Sequence, residues 1–172
     1  MTGYHSFETD RLFLRPTHES DAEFIFELLN TPKWKQFIGD RNIHSVEDAE
    51  GYINTKMRPQ LERQGFSNYT VIRKEDGAKI GTCGLYDRDG VEGIDIGFAF
   101  LPQFERQGYA FEAASRIMSA AIHIFKIPYL KGITTQDNEA SQRLLEKLGL
   151  KYVKDVQLPN DDALLRLYEW HS

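Results

Sequence analysis

The chain has 172 residues, of which 41% are hydrophobic and 27% are charged, and its formal net charge is −5. This length and composition fit one folded domain over residues 1–172 with a single sizeable core. No apolar run approaches the ~20 residues needed to span a membrane, and the first residues lack the pattern of a signal peptide. We therefore expect a cytoplasmic protein, a monomer or a homodimer, with no membrane partner.

The charged and metal-binding residue types exclude further classes. Binding to a nucleic acid backbone needs clustered lysine and arginine, which the acidic balance disfavours. The lone cysteine, Cys83, cannot form an internal disulfide, and in a strand it is expected to be a core residue. The five histidines show no metal-ligand spacing, so we expect no metal site.

The N-terminal third predicts a short strand followed by helices. Residues 11–16 alternate like a strand that stops at a proline. The segment 20–23 has the form of a capping box with Ser20 as the cap, and a helix is expected to follow it and to break at residues 30–32. A further helix is expected to start at Ser45, with a kink at Pro59 and an end at Gly65.

The remainder predicts strands with hairpin turns and two long helices. Alternation and turn residues predict strands over 68–73, 79–88 and 94–100, a strand over 129–135, and a closing pair over 150–156 and 163–170. Helices are expected over 108–125 and from an Asn138 cap to Gly149. The natural architecture is α/β, a single mixed and mostly antiparallel sheet flanked by helices.

A candidate anion site lies where the 94–100 strand feeds a polar loop that enters a helix at Gly108. Free N–H groups and the dipole at a helix start attract anions, and Gly108 permits a close backbone approach. Arg106 could add a charged contact to phosphate. The loop matches neither a Walker motif nor the glycine fingerprint of dinucleotide folds. An ordinary strand-to-helix connection remains the alternative.

This loop and helix start, LPQFERQGYAFEA, resembles the pyrophosphate-binding segment of GNAT acetyltransferases. It is most similar to the branch that contains the ribosomal-protein N-terminal acetyltransferases. FETDRLFLRP resembles the first strand of that branch, KIGTCGLYDR the third and DIGFAFLP the fourth. TTQDNEASQRLLEKLGLKYV is similar to its last conserved helix and following strand. One departure is that Glu105 and Arg106 occupy the positions where the family usually has Gln or Arg and then Gly.

The resemblance implies an N-acetyltransferase that moves the acetyl group of acetyl-CoA directly to a primary amine, with no metal. The amine would belong to a protein N-terminus or to a small molecule. A non-catalytic acyl-CoA-binding module is the alternative. Backbone groups near Phe98 and Phe100 would pair with the pantetheine arm, while their side chains belong to the core. The amides of Arg106, Gln107, Gly108, Tyr109 and Ala110 would hold the pyrophosphate, and Asn138 would contact the thioester region or only cap its helix.

The resemblance also implies two catalytic candidates. Asp95 would be the base for the acceptor amine, directly or through a water, unless it is a solvent-facing or structural residue. Leu145 stands where many family members carry the tyrosine that protonates the thiolate. Ser141 is the nearest polar substitute, unless it is only a helix-surface serine. Trp34 and Phe37 are expected in an acceptor pocket or in the core.

Overall fold

The computed structural model describes residues 3–159 and 162–172, and in that part of the chain eight strands form one sheet. The strand order is β1-β2-β3-β4-β5-β6-β8-β7, and every neighbouring pair is antiparallel except β5 and β6. The strands are β1 (Phe7–Glu8), β2 (Leu12–Pro16), β3 (Asn68–Arg73), β4 (Lys79–Tyr86), β5 (Ile94–Phe100), β6 (Tyr129–Thr135), β7 (Lys151–Val156) and β8 (Leu165–His171). The expected mixed sheet flanked by helices is confirmed.

Helices cover both faces of this sheet. They are α1 (Ala22–Leu29), α2 (Pro32–Phe37), α3 (Val46–Tyr52), α4 (Arg58–Gln64), α5 (Tyr109–His123) and α6 (Glu139–Lys147). One π-helical turn, Ile53–Met57, joins α3 to α4, immediately before the proline at which the sequence predicts a kink. Among the described residues, no helix combines the length and the apolarity needed to cross a membrane.

The predicted helix starts are confirmed at α3, α5 and α6 but not at α1. The predicted cap at Ser20 is wrong, because the side chain of His18 accepts the Ser20 N–H and the carboxylate of Asp21 accepts the His18 N–H at 2.9 Å. A 3₁₀ turn therefore precedes α1. The predicted break after α1 is confirmed, but α2 follows at once, with Thr31 as its cap. Ser45 caps α3 as predicted.

Two hydrophobic clusters lie on opposite faces of the sheet. The larger one packs α5 against β2 to β5 and includes the fully buried Leu14, Tyr69 and Ile117. Cys83 belongs to it, and burial raises the pKa of its thiol well above the ordinary value. The smaller cluster packs α1 and α3 against the end of β5, where Ala99 contacts it. Since α1, α2 and α3 cover that face, they also shape the cleft described below.

A buried carboxylate joins the first three long strands to the turn before α1. Asp21 is fully buried, and its oxygens accept hydrogen bonds from both terminal nitrogens of Arg15, each at 2.8 Å. The ammonium of Lys79 lies 2.7 Å from Oδ1, and the hydroxyl of Thr70 donates to Oδ2 at 3.1 Å. Burial alone would raise the pKa of Asp21, but the bonds from Arg15, the His18 N–H and Lys79 hold it well below its usual range.

Candidate active site

The sheet opens between β5 and β6. The two strands are parallel, and within the described chain only Ile94 with Leu130 and Asp95 with Lys131 are paired across them. From Ile96 onward β5 pairs, among the described strands, with β4 alone, and its other edge faces a cleft. An unpaired strand edge offers backbone N–H and C=O groups to an extended ligand. The cleft therefore has a built-in site for a linear, amide-containing molecule.

The loop that follows β5 adds an anion-binding end to the cleft. Gly108 takes a left-handed conformation, φ +83°, as the N-cap of α5, and a glycine has no side chain with which to cap the helix. In the described residues no group accepts a hydrogen bond from the N–H groups of residues 106–111. Arg106 is also left-handed, at φ +62°, which is where glycine is favoured. A run of free N–H groups at the start of a 15-residue helix suits a phosphate group.

A clamp on the N-terminal side holds this loop in place. The guanidinium of Arg11 donates to the carbonyl of Gln107 at 3.0 Å and lies 4.3 Å from the centre of the Tyr109 ring. Glu112 on α5 accepts from the Arg11 Nε at 2.7 Å and from the Thr9 hydroxyl. Burial would raise the pKa of Glu112, but these hydrogen bonds lower it overall. Glu112 is therefore the ion-pair partner of Arg11, and as an acid in the first turn of α5 it also complements the helix dipole.

Two adjoining cavities fill the cleft. A cavity of about 470 Å³ runs past the 104–111 loop and the start of α6. A cavity of about 600 Å³ continues from it, between β5, β6 and the α2–α4 side. Both sizes are typical of small-molecule sites. Residues that border both are Trp34, Phe37, Ile38, Phe98, Ala99, Asn138 and Ser141. We call the smaller the loop cavity and the larger the inner cavity.

Asp95 is the last residue of β5 that pairs with β6, and it lies on the wall of the inner cavity. Its side chain is 1% exposed, and its Oδ1 accepts from the Arg88 Nε at 2.7 Å. Burial raises the pKa of this carboxyl, while Arg88 opposes the rise. The alternative of a solvent-facing position is wrong, because this side chain is buried on the cavity wall and paired with Arg88. The residue has a structural ion pair and a place on the cavity wall.

The α6 helix and its N-cap supply Asn138 and Ser141 to the site. Asn138 caps the helix, as predicted, by accepting the Ser141 N–H at 3.3 Å. Ser141 is half-buried and borders both cavities. Leu145 is 1% exposed and packs against β6, where an added Cβ on Gly132 would lie 2.6 Å from its Cδ2. A tyrosine at position 145 would have no room in this packing.

The structure brings most of the sequence-predicted site residues to one cleft. Arg106, Gly108, Tyr109, Ala110 and Asn138 border the loop cavity, and Asp95 borders the inner one. The side chains of Phe98 and Phe100 pack on the main core, as expected. Gln107 is exposed, and its carbonyl is used by the Arg11 clamp.

Other neighbours of the cleft escape prediction. Glu105 is joined to Lys33 of α2 at 2.9 Å, a contact between residues far apart in the sequence. The aromatic ring of Tyr86 covers Gly97, where an added Cβ would lie 2.8 Å from the ring, and its hydroxyl binds Asn68. Proline after threonine is a recognised helix start, so residues 31–32 did carry the signal for α2. Among the described residues no group of three or more candidate ligands could hold a metal ion.

Comparisons with known proteins agree with this architecture. Residues 11–151 match the family described as the acetyltransferase (GNAT) domain. The chain is 31% identical to the uncharacterized N-acetyltransferase YoaA of Bacillus subtilis (strain 168) over 145 residues, which are 84% of this chain and 81% of that protein.

Solved structures show the same fold. An acetyltransferase from Agrobacterium tumefaciens str. C58 aligns with a TM-score of 0.83 and 20% identity, covering 100% of this chain and 97% of that one. RimL, a ribosomal L7/L12 alpha-N-protein acetyltransferase solved in complex with coenzyme A, aligns with a TM-score of 0.81 and 16% identity, covering 97% and 98%. With the family match over residues 11–151, these findings establish that the chain belongs to the GNAT acetyltransferase family and is an acyltransferase.

Proposed function

We propose that this enzyme transfers the acetyl group of acetyl-CoA directly to a primary amine. The observation that carries the proposal is the continuity of two unpaired backbone surfaces. The free edge of β5 leads into the free N–H groups of residues 106–111, and one cleft borders both. Coenzyme A has the matching order of parts, an extended arm with two amides followed by a pyrophosphate.

The residues around the loop cavity fit that molecule. The N–H groups of Arg106 to Ala110 would donate to the pyrophosphate, with the helix dipole of α5 adding to the attraction. The backbone near Phe98 and Phe100 would pair with the pantetheine arm as an added strand does. Asn138 borders both cavities, at the point where the arm would pass from one to the other. Acetyl-CoA supplies an activated acyl group, and the protein supplies position, a base and hydrogen bonds.

The chemistry requires a neutral amine, since an aliphatic ammonium has a pKa of ~10. Asp95 takes the proton of the acceptor through a water, because its carboxylate is held back on the strand by Arg88. Its raised pKa makes it a stronger base than an ordinary aspartate. The amine nitrogen then bonds to the carbonyl carbon as the carbon–sulfur bond breaks. The sulfur would leave with the electron pair while Ser141 donates a hydrogen bond to it, and it would take up the proton that the attacking nitrogen loses, so that coenzyme A departs as the thiol.

The inner cavity would hold the acceptor. Its volume of about 600 Å³ suits a small amine or the first residues of a peptide. The aromatic rings of Trp34, Phe37, Tyr52 and Tyr86 line it, together with Asp87 and Asp89. The RimL neighbour acts, by its printed name, on a ribosomal protein, which supports including protein N-termini beside small amines.

Binding is tested by replacing the glycine that opens α5. Gly108→Glu adds bulk and negative charge where the pyrophosphate would lie, and should abolish the acetyl-CoA heat signal in a calorimetric titration. Gly77→Glu is the matched control, because Gly77 is also left-handed, at φ +74°, but lies in a turn outside both cavities. Equal acetyl-CoA affinity in the wild-type protein and both variants would remove the proposed phosphate site.

Turnover separates the enzyme from a binding module that only holds acyl-CoA. Thiol release from acetyl-CoA is followed with a panel of peptides with free N-termini, polyamines and amino acids, and the product is identified by mass spectrometry. We expect release that depends on one class of amine. Tight acetyl-CoA binding without turnover of any amine would favour the binding module.

A further inference from the structure

The hydroxyl of Thr134 is buried without a partner in the cleft. Thr134 is the sixth residue of β6 and is 6% exposed, and its Oγ1 makes no hydrogen bond within the described chain. It lies beyond the last residue of β6 that pairs with β5, on the wall of the inner cavity. A buried hydroxyl without a partner costs stability, so its position calls for a functional explanation.

The contact between Gly132 of β6 and Leu145 of α6 brings Thr134 and Ser141 to the same end of the helix–strand packing. Gly132 of the strand lies directly under Leu145 of the helix. After Thr135 the chain turns back, so α6 runs antiparallel to β6. Thr134 is two residues from Gly132 on the same strand face, a step of roughly 6.6 Å. Ser141 is four residues from Leu145 on the same helix face, a step of about 6 Å in the same direction.

Neither hydroxyl is used elsewhere. In the described residues the Oγ of Ser141 makes no hydrogen bond, whereas its backbone N–H donates to Asn138. Both side chains thus carry an O–H group without a partner among the described residues, and both border the inner cavity. The Thr134 oxygen is shielded from solvent, whereas Ser141 borders both cavities. Of these two hydroxyls, the one of Ser141 is therefore placed to touch a ligand.

We propose that Thr134 is a positioning residue that donates a hydrogen bond to the Ser141 oxygen when acetyl-CoA is bound. This inference rests on the proposed function. The Thr134 O–H would fix the rotamer of Ser141, and the Ser141 O–H would point at the sulfur of the departing coenzyme A. Two hydroxyls in series strengthen each other as donors. The pair takes the place of the tyrosine that Leu145 displaces, and no proton needs to leave either residue.

The first test is a double-mutant cycle on kcat. Thr134→Val removes the hydroxyl and keeps the shape, Thr134→Ser keeps the hydroxyl, and Ser141→Ala removes the group that touches sulfur. A neutral hydrogen bond is worth several-fold to about tenfold in rate. We expect losses of that size for Thr134→Val and Ser141→Ala, near wild-type kcat for Thr134→Ser, and no further loss when Thr134→Val is added to Ser141→Ala. Losses that multiply in the double variant would overturn the series arrangement.

The second test does not depend on turnover. Hydrogen bonds to a thiolate lower the pKa of the thiol, which is ordinarily ~8.5. The thiolate absorbance of bound coenzyme A should titrate at lower pH in the wild-type protein than in Thr134→Val or Ser141→Ala. Identical titrations in the wild-type protein and Thr134→Val would overturn the proposal.

A control separates this effect from the general cost of a buried hydroxyl. Ser115 on α5 also has an unpartnered, buried oxygen, but it borders neither cavity. Ser115→Ala and Thr134→Val should both melt at or above the wild-type temperature, and only Thr134→Val should slow turnover. A wild-type protein that did not bind acetyl-CoA would overturn both proposals. An active wild-type protein that Thr134→Val leaves unchanged would overturn only the role of Thr134.

Discussion

Asp21→Asn should be among the most destabilising single changes in this fold. The substitution keeps the shape of the side chain but removes the charge that two cations share, Arg15 at 2.8 Å and Lys79 at 2.7 Å. Asp21 is fully buried, while Arg15 and Lys79 are 28% and 33% exposed, so water relieves the loss only in part. Breaking a buried pair of this kind costs about 3–5 kcal/mol. For a chain of this size we expect Tm to fall by about 6–20 °C.

The pH dependence has a definite sign. Because the folded pKa of Asp21 is lowered, its contribution to stability is complete above the unfolded pKa of ~3.9 and is lost as pH falls toward the folded pKa. Urea unfolding at neutral and acidic pH measures this contribution. The difference in free energy of unfolding between the wild-type protein and Asp21→Asn should become smaller as the pH drops below ~4. Asp76→Asn is the control, since Asp76 pairs with Arg73 on the surface and should matter far less. Equal stability of Asp21→Asn and Asp76→Asn would refute the reasoning.

Three further substitutions test the site and its supports. Asp95→Asn should lower kcat by about 100-fold or more without changing acetyl-CoA affinity. Wild-type kcat should fall as pH falls through the raised pKa of Asp95. Steady-state kinetics across pH measure both effects, and kcat–pH profiles of the same shape in the wild-type protein and Asp95→Asn would indicate a purely structural role. Arg106→Gly should raise the free energy of unfolding by about 0.5–1 kcal/mol, because it removes a left-handed non-glycine residue at φ +62°, and it should weaken acetyl-CoA binding. Thermal melting measures the first effect and titration calorimetry the second. A lower Tm would contradict the strain argument. Gly132→Ala should destabilise by about 1–3 kcal/mol, since the new Cβ would lie 2.6 Å from Leu145; thermal melts should show partial rescue by adding Leu145→Val.

Local sequence patterns predicted the helices and strands well where the signal comes from neighbouring residues. The alternation in residues 94–100 and the Asn138 cap both match the structure. The start of α1 was predicted wrongly because Asp21 forms ion pairs with Arg15 and Lys79, which lie six and 58 residues away along the chain. A pattern of neighbouring residues cannot report a partner on another strand.

The residues of the candidate site also fall into those that local sequence predicts and those that depend on distant partners. Gly108 and the helix start after it follow from glycine geometry and helix ends, and a family resemblance adds Asp95 and Ser141. The Arg88 partner of Asp95 and the buried Thr134 hydroxyl depend on strand register and on the packing of α6, which only coordinates supply. A solvent-facing position for Asp95 stayed open as an alternative, because single alternation does not tell which face of a sheet is covered.

The opening between β5 and β6 also has a mechanical consequence. In the described chain two residue pairs connect the ladder of β1–β5 with the ladder of β6, β8 and β7. The two ladders are therefore two units of the sheet that are joined by this short seam and by the main core, to which both contribute. A ligand that bonds along the free edge of β5 lengthens that seam and couples the units. Amide hydrogens of β6 and β8 should exchange faster than those of β3 and β4 in the free enzyme, and the difference should shrink when the cleft is filled.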